Sequence, residues 1–222
     1  MQPLLGVLLD VDGTLVDSND SHAQAWVRAL AEDGIAVPLR DVRRLIGKGA
    51  DKLLPEAAGI DADSPRGKAI SKRRGELFRE EFLPTLRPFP SVRDLLSRMK
   101  QENLRLAVAS SARGDELEEL LRVCGADEYV DARTSSDDAE NSKPDPDIVR
   151  AAVQKIGLPT NALILLGDTP YDIQAAQRAE VAVVALRCGG WSDPDLAGAV
   201  AVYDSPADLL NKFEQSPFTA IR

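Results

Sequence analysis

Pro3-Leu4-Leu5-Gly6-Val7-Leu8-Leu9-Asp10-Val11-Asp12-Gly13-Thr14 decides the fold. The run Pro3 to Leu9 is apolar without interruption and too short and continuous for an exposed helix, so it reads as a buried strand. A strand that ends in two carboxylates and a glycine delivers both charges to the rim of a sheet. Open α/β folds bind their ligands at that rim. Two like charges held this close are costly unless a cation or a shared proton compensates them. A turn merely rich in Asp and Gly is the plain alternative for this segment alone.

Outward from this strand, the pattern from about Leu104 alternates apolar strands with helices, the signature of a parallel sheet flanked by helices. Strands are expected at Leu104–Ala109, Ala162–Leu166 and Val181–Leu186, with a weaker one at Val200–Tyr203. Helices are expected at Gly114–Val123, Asp147–Ile156 (closed by Gly157) and Tyr171–Ala179. The segment from Asp17 to Pro84 has no convincing strand, but carries helical patterns at Ser21–Asp33, Leu39–Ile46 and Ala69–Phe82. The expectation is an α/β protein: a Rossmann-like parallel-sheet domain formed by 1–16 and 85–222, with a small all-α domain, 17–84, inserted after the first strand. Lys72-Arg73-Arg74 with Glu80-Glu81 reads as a solvated helix face.

The 222 residues are enough for a sizeable core without disulfides, and Cys124 and Cys188 have no metal-ligand spacing, which suits a reducing compartment. A net charge of −9 argues against nucleic acid and anionic membranes as partners. The first apolar run is too short and lacks the basic start of a signal peptide, so a cytoplasmic location is expected. A single histidine, His22, excludes a multi-histidine metal site and leaves acid–base work to carboxylates or lysine.

Four places share one arrangement: Asp10-Val11-Asp12-Gly13-Thr14, Ser110-Ser111, Lys143-Pro144-Asp145-Pro146 and Gly167-Asp168-Thr169-Pro170-Tyr171-Asp172. In a parallel sheet the strand ends point the same way, so these groups should converge on one cleft. Converged, Asp10, Asp12, Asp168 and Asp172 call for a hard, oxygen-liganded cation such as Mg²⁺. Ser110 and Lys143 suit the oxygens of a phosphoryl group. One carboxylate as nucleophile beside another as acid and base completes a covalent phosphoryl-transfer site. Taken singly, each has a structural explanation: Ser111 as a helix cap, Lys143 as a loop lysine, Asp168 and Asp172 as turn and helix-start residues.

These stretches resemble the signature motifs of the haloacid dehalogenase superfamily over nearly the whole chain. They are closest to its phosphoglycolate phosphatase and β-phosphoglucomutase-like branch, whose helical cap follows the first motif. The resemblance implies that Asp10 is the nucleophile that forms an aspartyl-phosphate. It implies that Asp12 protonates the leaving oxygen and then activates water. Mg²⁺ would be held by the Asp10 carboxylate, the Asp12 backbone carbonyl and Asp168, with Asp172 near it. Ser110, Lys143 and the backbone amides after Asp10, including Gly13 and Thr14, would hold the phosphoryl oxygens. An ionisable Asp12 favours phosphate esters over carbon–halogen or carbon–phosphorus bonds within the superfamily.

In the cap, the resemblance makes Arg44 to Asp51 the specificity loop, with Arg44 and Lys48 as candidates to meet the leaving group; a solvent-exposed helix–helix turn is the alternative. His22 stands where related enzymes often carry histidine, and a structural histidine is the equal alternative. The implied activity is hydrolysis of a small phosphorylated metabolite, a sugar phosphate or phosphoglycolate-like compound, by a monomer or dimer. The alternatives are a phosphomutase with the same residues and a non-catalytic phospho-ligand-binding protein. The family's usual glycine after Ala179 is replaced by Glu180, which is expected to loosen that turn.

Overall fold

Continuous apolar runs form the middle of an open sheet with both faces covered. The computed structural model describes residues 3–219, and in them six parallel strands pair into one sheet. They are β1 (Gly6–Leu9), β2 (Arg105–Ala109), β3 (Ala132–Thr134), β4 (Leu163–Gly167), β5 (Ala182–Leu186) and β6 (Ala201–Tyr203). Their spatial order is β3-β2-β1-β4-β5-β6, so winding reverses between β1 and β4. Register fixes what emerges there. Leu9 pairs with Val108 on one side and Leu166 on the other. Asp10 therefore leaves the sheet beside the ends of both neighbouring strands. Every residue of β1 and β4 is buried, as parallel strands with helices on both faces require.

The chain divides into two compact units, Met1–Asp17 with Arg87–Arg222, and Ser18–Leu86. The crossings out of and back into the sheet unit run side by side, with Asp17 N–H donating to Arg87 O and Phe89 N–H to Leu15 O. The Ser18–Leu86 unit is helical: α1 (Asn19–Glu32), α2 (Leu39–Arg43), α3 (Ala50–Ala58) and α4 (Pro65–Leu77), continued by a π-helical turn over Phe78–Phe82. Helix α3 was not expected from the sequence, because Gly47, Gly49 and Pro55 mask its pattern. Gly49 is in fact its capping residue, and the supposed loop Arg44 to Asp51 ends inside it. Arg74 also departs from expectation. It turns away from the solvated face, its guanidinium lying 5.3 Å from the ring centres of both Trp26 and Phe78.

In the sheet unit the helices are α5 (Val92–Gln101), α6 (Gly114–Cys124), α7 (Asp147–Ile156), α8 (Pro170–Arg178) and α9 (Pro206–Asn211). Helix α7 buries Ile148, Val149, Ala152 and Ile156 against Leu8, Ala107 and Leu165 of the sheet. Helices α5 and α9 and the short strand β3 were missed, β3 because only three half-buried or buried residues carry it. The cap of α6 falls on Arg113, not Ser111, and its first amide, Gly114 N–H, donates to Asp137 Oδ2.

The turn after α8 is not loosened by Glu180. It keeps the left-handed conformation with φ 59°, and Val181 N–H closes it onto Ala176 O at 2.9 Å. A side chain in this conformation costs roughly 1–2 kcal/mol, part of which glycine would return as chain entropy. Glu180→Gly is therefore expected to stabilise the protein by about 0.5–1 kcal/mol. An unchanged or lower urea midpoint would contradict this.

Candidate active site

Asp10 is the first residue past β1, and its amide donates to Leu166 O, extending the ladder by one step. Its carboxylate is buried, and Lys143 Nζ donates to Asp10 Oδ1 at 2.7 Å. The same ammonium donates to Asp172 Oδ1 at 2.6 Å. Lys143 has no exposed surface at all, although it stands on a loop well beyond the end of β3 and not at a strand end. A buried ammonium is tolerated only with such partners. Burial pulls its proton affinity down, but Asp10 and Asp172 outweigh that and hold Lys143 above its ordinary value.

Asp172 serves two purposes at once. It sits in the first turn of α8 and forms a capping box with Thr169. Its Oδ2 accepts from Thr169 N–H at 3.0 Å and from Thr169 Oγ1 at 2.6 Å, while Asp172 N–H donates to Thr169 Oγ1 at 3.1 Å. One oxygen thus caps the helix and the other holds Lys143. The helix-start reading of this residue holds, and the same side chain also reaches Lys143.

Asp168, fully buried at the end of β4, is joined to Asp10 through a hydroxyl that sequence reading assigned differently. Thr14 Oγ1 lies 3.1 Å from Asp10 Oδ2 and 3.1 Å from Asp168 Oδ1. A hydroxyl has one proton, so it satisfies one of these carboxylates at a time. The Gly13 and Thr14 amides, expected as phosphate donors, are spent inside the turn, on Val16 O at 2.8 Å and Val11 O at 3.2 Å. Thr14 enters the site through its side chain, not its backbone.

Asp10, Asp168 and Asp172 each offer an oxygen within 4.8 Å of the others. If all are ionised, these three buried carboxylates face one buried ammonium. Burial pushes the Asp10 carboxyl up to about 7, against the pull of Lys143 and helped by the charge of Asp172. An all-oxygen set carrying this excess of negative charge fits a hard divalent cation. The half-buried Asp12 carboxylate is not part of that trio.

Ser110 is buried at the end of β2, where its Oγ accepts from Ala112 N–H at 3.1 Å and its own amide donates to Thr134 O. The helical unit holds the remaining candidates. Lys48 Nζ bonds both Glu56 oxygens at 2.7 and 2.6 Å, and Arg44 is exposed. His22 is buried, stacked on Phe78 at 4.0 Å between ring centres, with Nδ1 3.0 Å from Arg74. Arginine only donates, so in this contact Nδ1 is the acceptor.

Sequence reading missed the turn Arg187–Gly189 after β5, where Cys188 Sγ donates to Gly13 O at 3.4 Å. The adjacent pair Gly189-Gly190 following an apolar strand was the available signal. Burial and the nearby Asp168 charge push the Cys188 thiol up to about 12.

A family model described as haloacid dehalogenase-like hydrolase matches residues 7–186. The phosphoglycolate phosphatase of Rhodospirillum rubrum is 31% identical over 214 residues, which cover 91% of this chain and 88% of that protein. The chloroplastic protein SUPPRESSOR OF QUENCHING 1 of Arabidopsis thaliana is 32% identical over 190 residues, 82% of this chain and 18% of that much longer protein. The crystal structure of a hydrolase from Pseudomonas syringae is similar with a TM-score of 0.87 and 29% identity, over 95% of this chain and 98% of that one. Among the described residues no helix is long and apolar enough to cross a membrane.

Removing one partner of a buried ion cluster leaves the others uncompensated, at a cost of about 3–5 kcal/mol. Lys143→Met is expected to lower stability by about that much in urea unfolding with chelator present. A loss below about 1 kcal/mol, the value of an exposed pair, would contradict the burial of this charge.

Proposed function

Because the chain belongs to the haloacid dehalogenase-like hydrolase family, on its phosphoglycolate phosphatase and β-phosphoglucomutase-like branch, we propose that it is a Mg²⁺-dependent phosphatase acting through phospho-Asp10. Its substrate is a small phosphorylated metabolite, a phosphoglycolate-like compound or a sugar phosphate. The observation that carries this reading is Asp10 itself: a buried carboxylate held by Lys143 at 2.7 Å, with Asp168 and Asp172 close by. The phosphoglycolate phosphatase named above supports the substrate class.

Asp10 attacks phosphorus, and the bond from phosphorus to the ester oxygen breaks as the aspartyl-phosphate forms. Lys143 holds Asp10 in place, offsets its charge and meets the oxygens of the transferring group. Ser110, whose oxygen already accepts from Ala112 N–H, keeps its own hydroxyl proton to donate to a phosphoryl oxygen. Asp12 gives its proton to the departing oxygen, then takes one from the water that attacks phospho-Asp10 and releases phosphate. Its partial exposure suits a group that must exchange protons. The Asp10 and Asp168 carboxylates and the Asp12 carbonyl would hold Mg²⁺, with Asp172 near it, and the bound ion would supply positive charge against the phosphoryl oxygens. In the helical unit, Arg44, Lys48 and His22 remain the candidates for substrate selection.

The assigned role of Asp12 has a sharp test. Asp12→Asn is expected to slow an alkyl phosphate by about 100-fold or more, the usual range of general acid–base catalysis. It should slow formation of the intermediate far less with p-nitrophenyl phosphate, whose leaving group needs no proton. Equal losses in a rapid-mixing comparison would overturn the acid role. Chelator is expected to abolish phosphate release and Mg²⁺ to restore it. A protein that isomerises a sugar phosphate with a bisphosphate activator and releases no phosphate would be a mutase, contrary to this reading.

A further inference from the structure

We infer that Gly189 is a positioning residue whose missing side chain seats the Asp168 carboxylate for divalent-ion binding. The inference rests on the divalent-ion reading given above. Gly189 ends the turn Arg187–Gly189 that follows β5, the strand beside β4, so it faces the strand end that carries Asp168. A Cβ placed on Gly189 would lie 1.7 Å from Asp168 Oδ2, 2.4 Å from Cγ and 2.5 Å from Cβ. Rotating the carboxylate cannot relieve contact with Asp168 Cβ, so the strand end or the turn itself would have to move. Backbone conformation does not explain the glycine, since the left-handed residue of this pair is its neighbour Gly190, with φ 92°. Close approach to Asp168 does.

The turn is also held firmly. The Arg187 guanidinium donates to Asp193 Oδ1 at 2.5 Å and Oδ2 at 3.1 Å, and to Asp204 Oδ1 at 2.7 Å. The Cys188 thiol reaches Gly13 O, in the turn that also carries Asp12 and Thr14. For the turn to move away from a new methyl group, these contacts would have to shift with it. Asp168 is itself fully buried and in contact with Thr14. Where the strand end yields, the carboxylate that completes the acidic trio moves with it. Supports of this kind are worth about 10- to 100-fold in metal affinity.

The test is equilibrium binding of Mn²⁺, as a spectroscopic stand-in, to the purified full chain, with free ion read by electron paramagnetic resonance. Gly189→Ala is expected to bind Mn²⁺ about 10- to 100-fold more weakly than the wild-type protein. Wild-type affinity in the variant would overturn the inference. A wild-type protein that binds no Mn²⁺ would instead refute the divalent-ion reading itself, and this inference with it. A urea-unfolding cycle in chelator covers a variant too unstable to titrate. Asp168→Gly and the double variant Asp168→Gly/Gly189→Ala should share one midpoint, because the opposing side chain is gone. A double variant as destabilised by the alanine as the parent would also overturn it.

Discussion

Lys143 is a fully buried ammonium bonded to two buried carboxylates, and the rest of the site is arranged around that contact. A charge taken wholly out of water must be matched at short range or it unfolds its surroundings. Asp10 supplies one partner from the end of β1 and Asp172 the other from the first turn of α8. These elements are far apart in sequence, so the ammonium ties the loop beyond β3 to both sides of the point where the winding reverses. Lys143 alone does not balance the carboxylates around it. Burial, more than its neighbours' charge, makes Asp10 hold its proton more tightly than an ordinary aspartate, and a divalent cation would offset the excess negative charge.

The cluster draws on groups that also serve the fold. Asp172 caps a helix with one oxygen and grips Lys143 with the other. Thr14 belongs to the tight turn after β1, yet its hydroxyl stands between two carboxylates. Such double use fixes side chains that would otherwise have several rotamers, and preorganised groups of this kind are what phosphoryl transfer needs. It also means that substitutions here alter stability and chemistry together.

The parallel sheet was legible in the sequence because buried central strands leave continuous apolar runs, and β1, β2, β4 and β5 all do. The short edge strand β3 and helix α3 were not, the first for want of residues and the second because glycines and a proline interrupt its pattern. Asp10, Asp168 and Asp172 stood out because carboxylates at the ends of apolar segments are expensive to place there by chance, and the structure gathers them. The roles of Thr14 and Gly189 were not readable. Each depends on a contact with Asp168, residues distant along the chain for Thr14, and no local pattern encodes such proximity. Arg74 and Glu180 taught the reverse lesson. A run of charges made one look solvated and departure from the family's glycine made the other look like a loosened turn, whereas packing on Trp26 and Phe78 and a closing hydrogen bond from Val181 decided otherwise.

The central claim is that the Asp10 carboxylate, once held by Lys143, becomes covalently phosphorylated. Its most direct test is rapid acid quenching of a single turnover with radiolabelled p-nitrophenyl phosphate, followed by peptide mapping. The account predicts label on the peptide that contains Asp10, appearing and decaying within the turnover. Phosphate released at the full rate with no label at Asp10 at any time, or label on another residue, would contradict it.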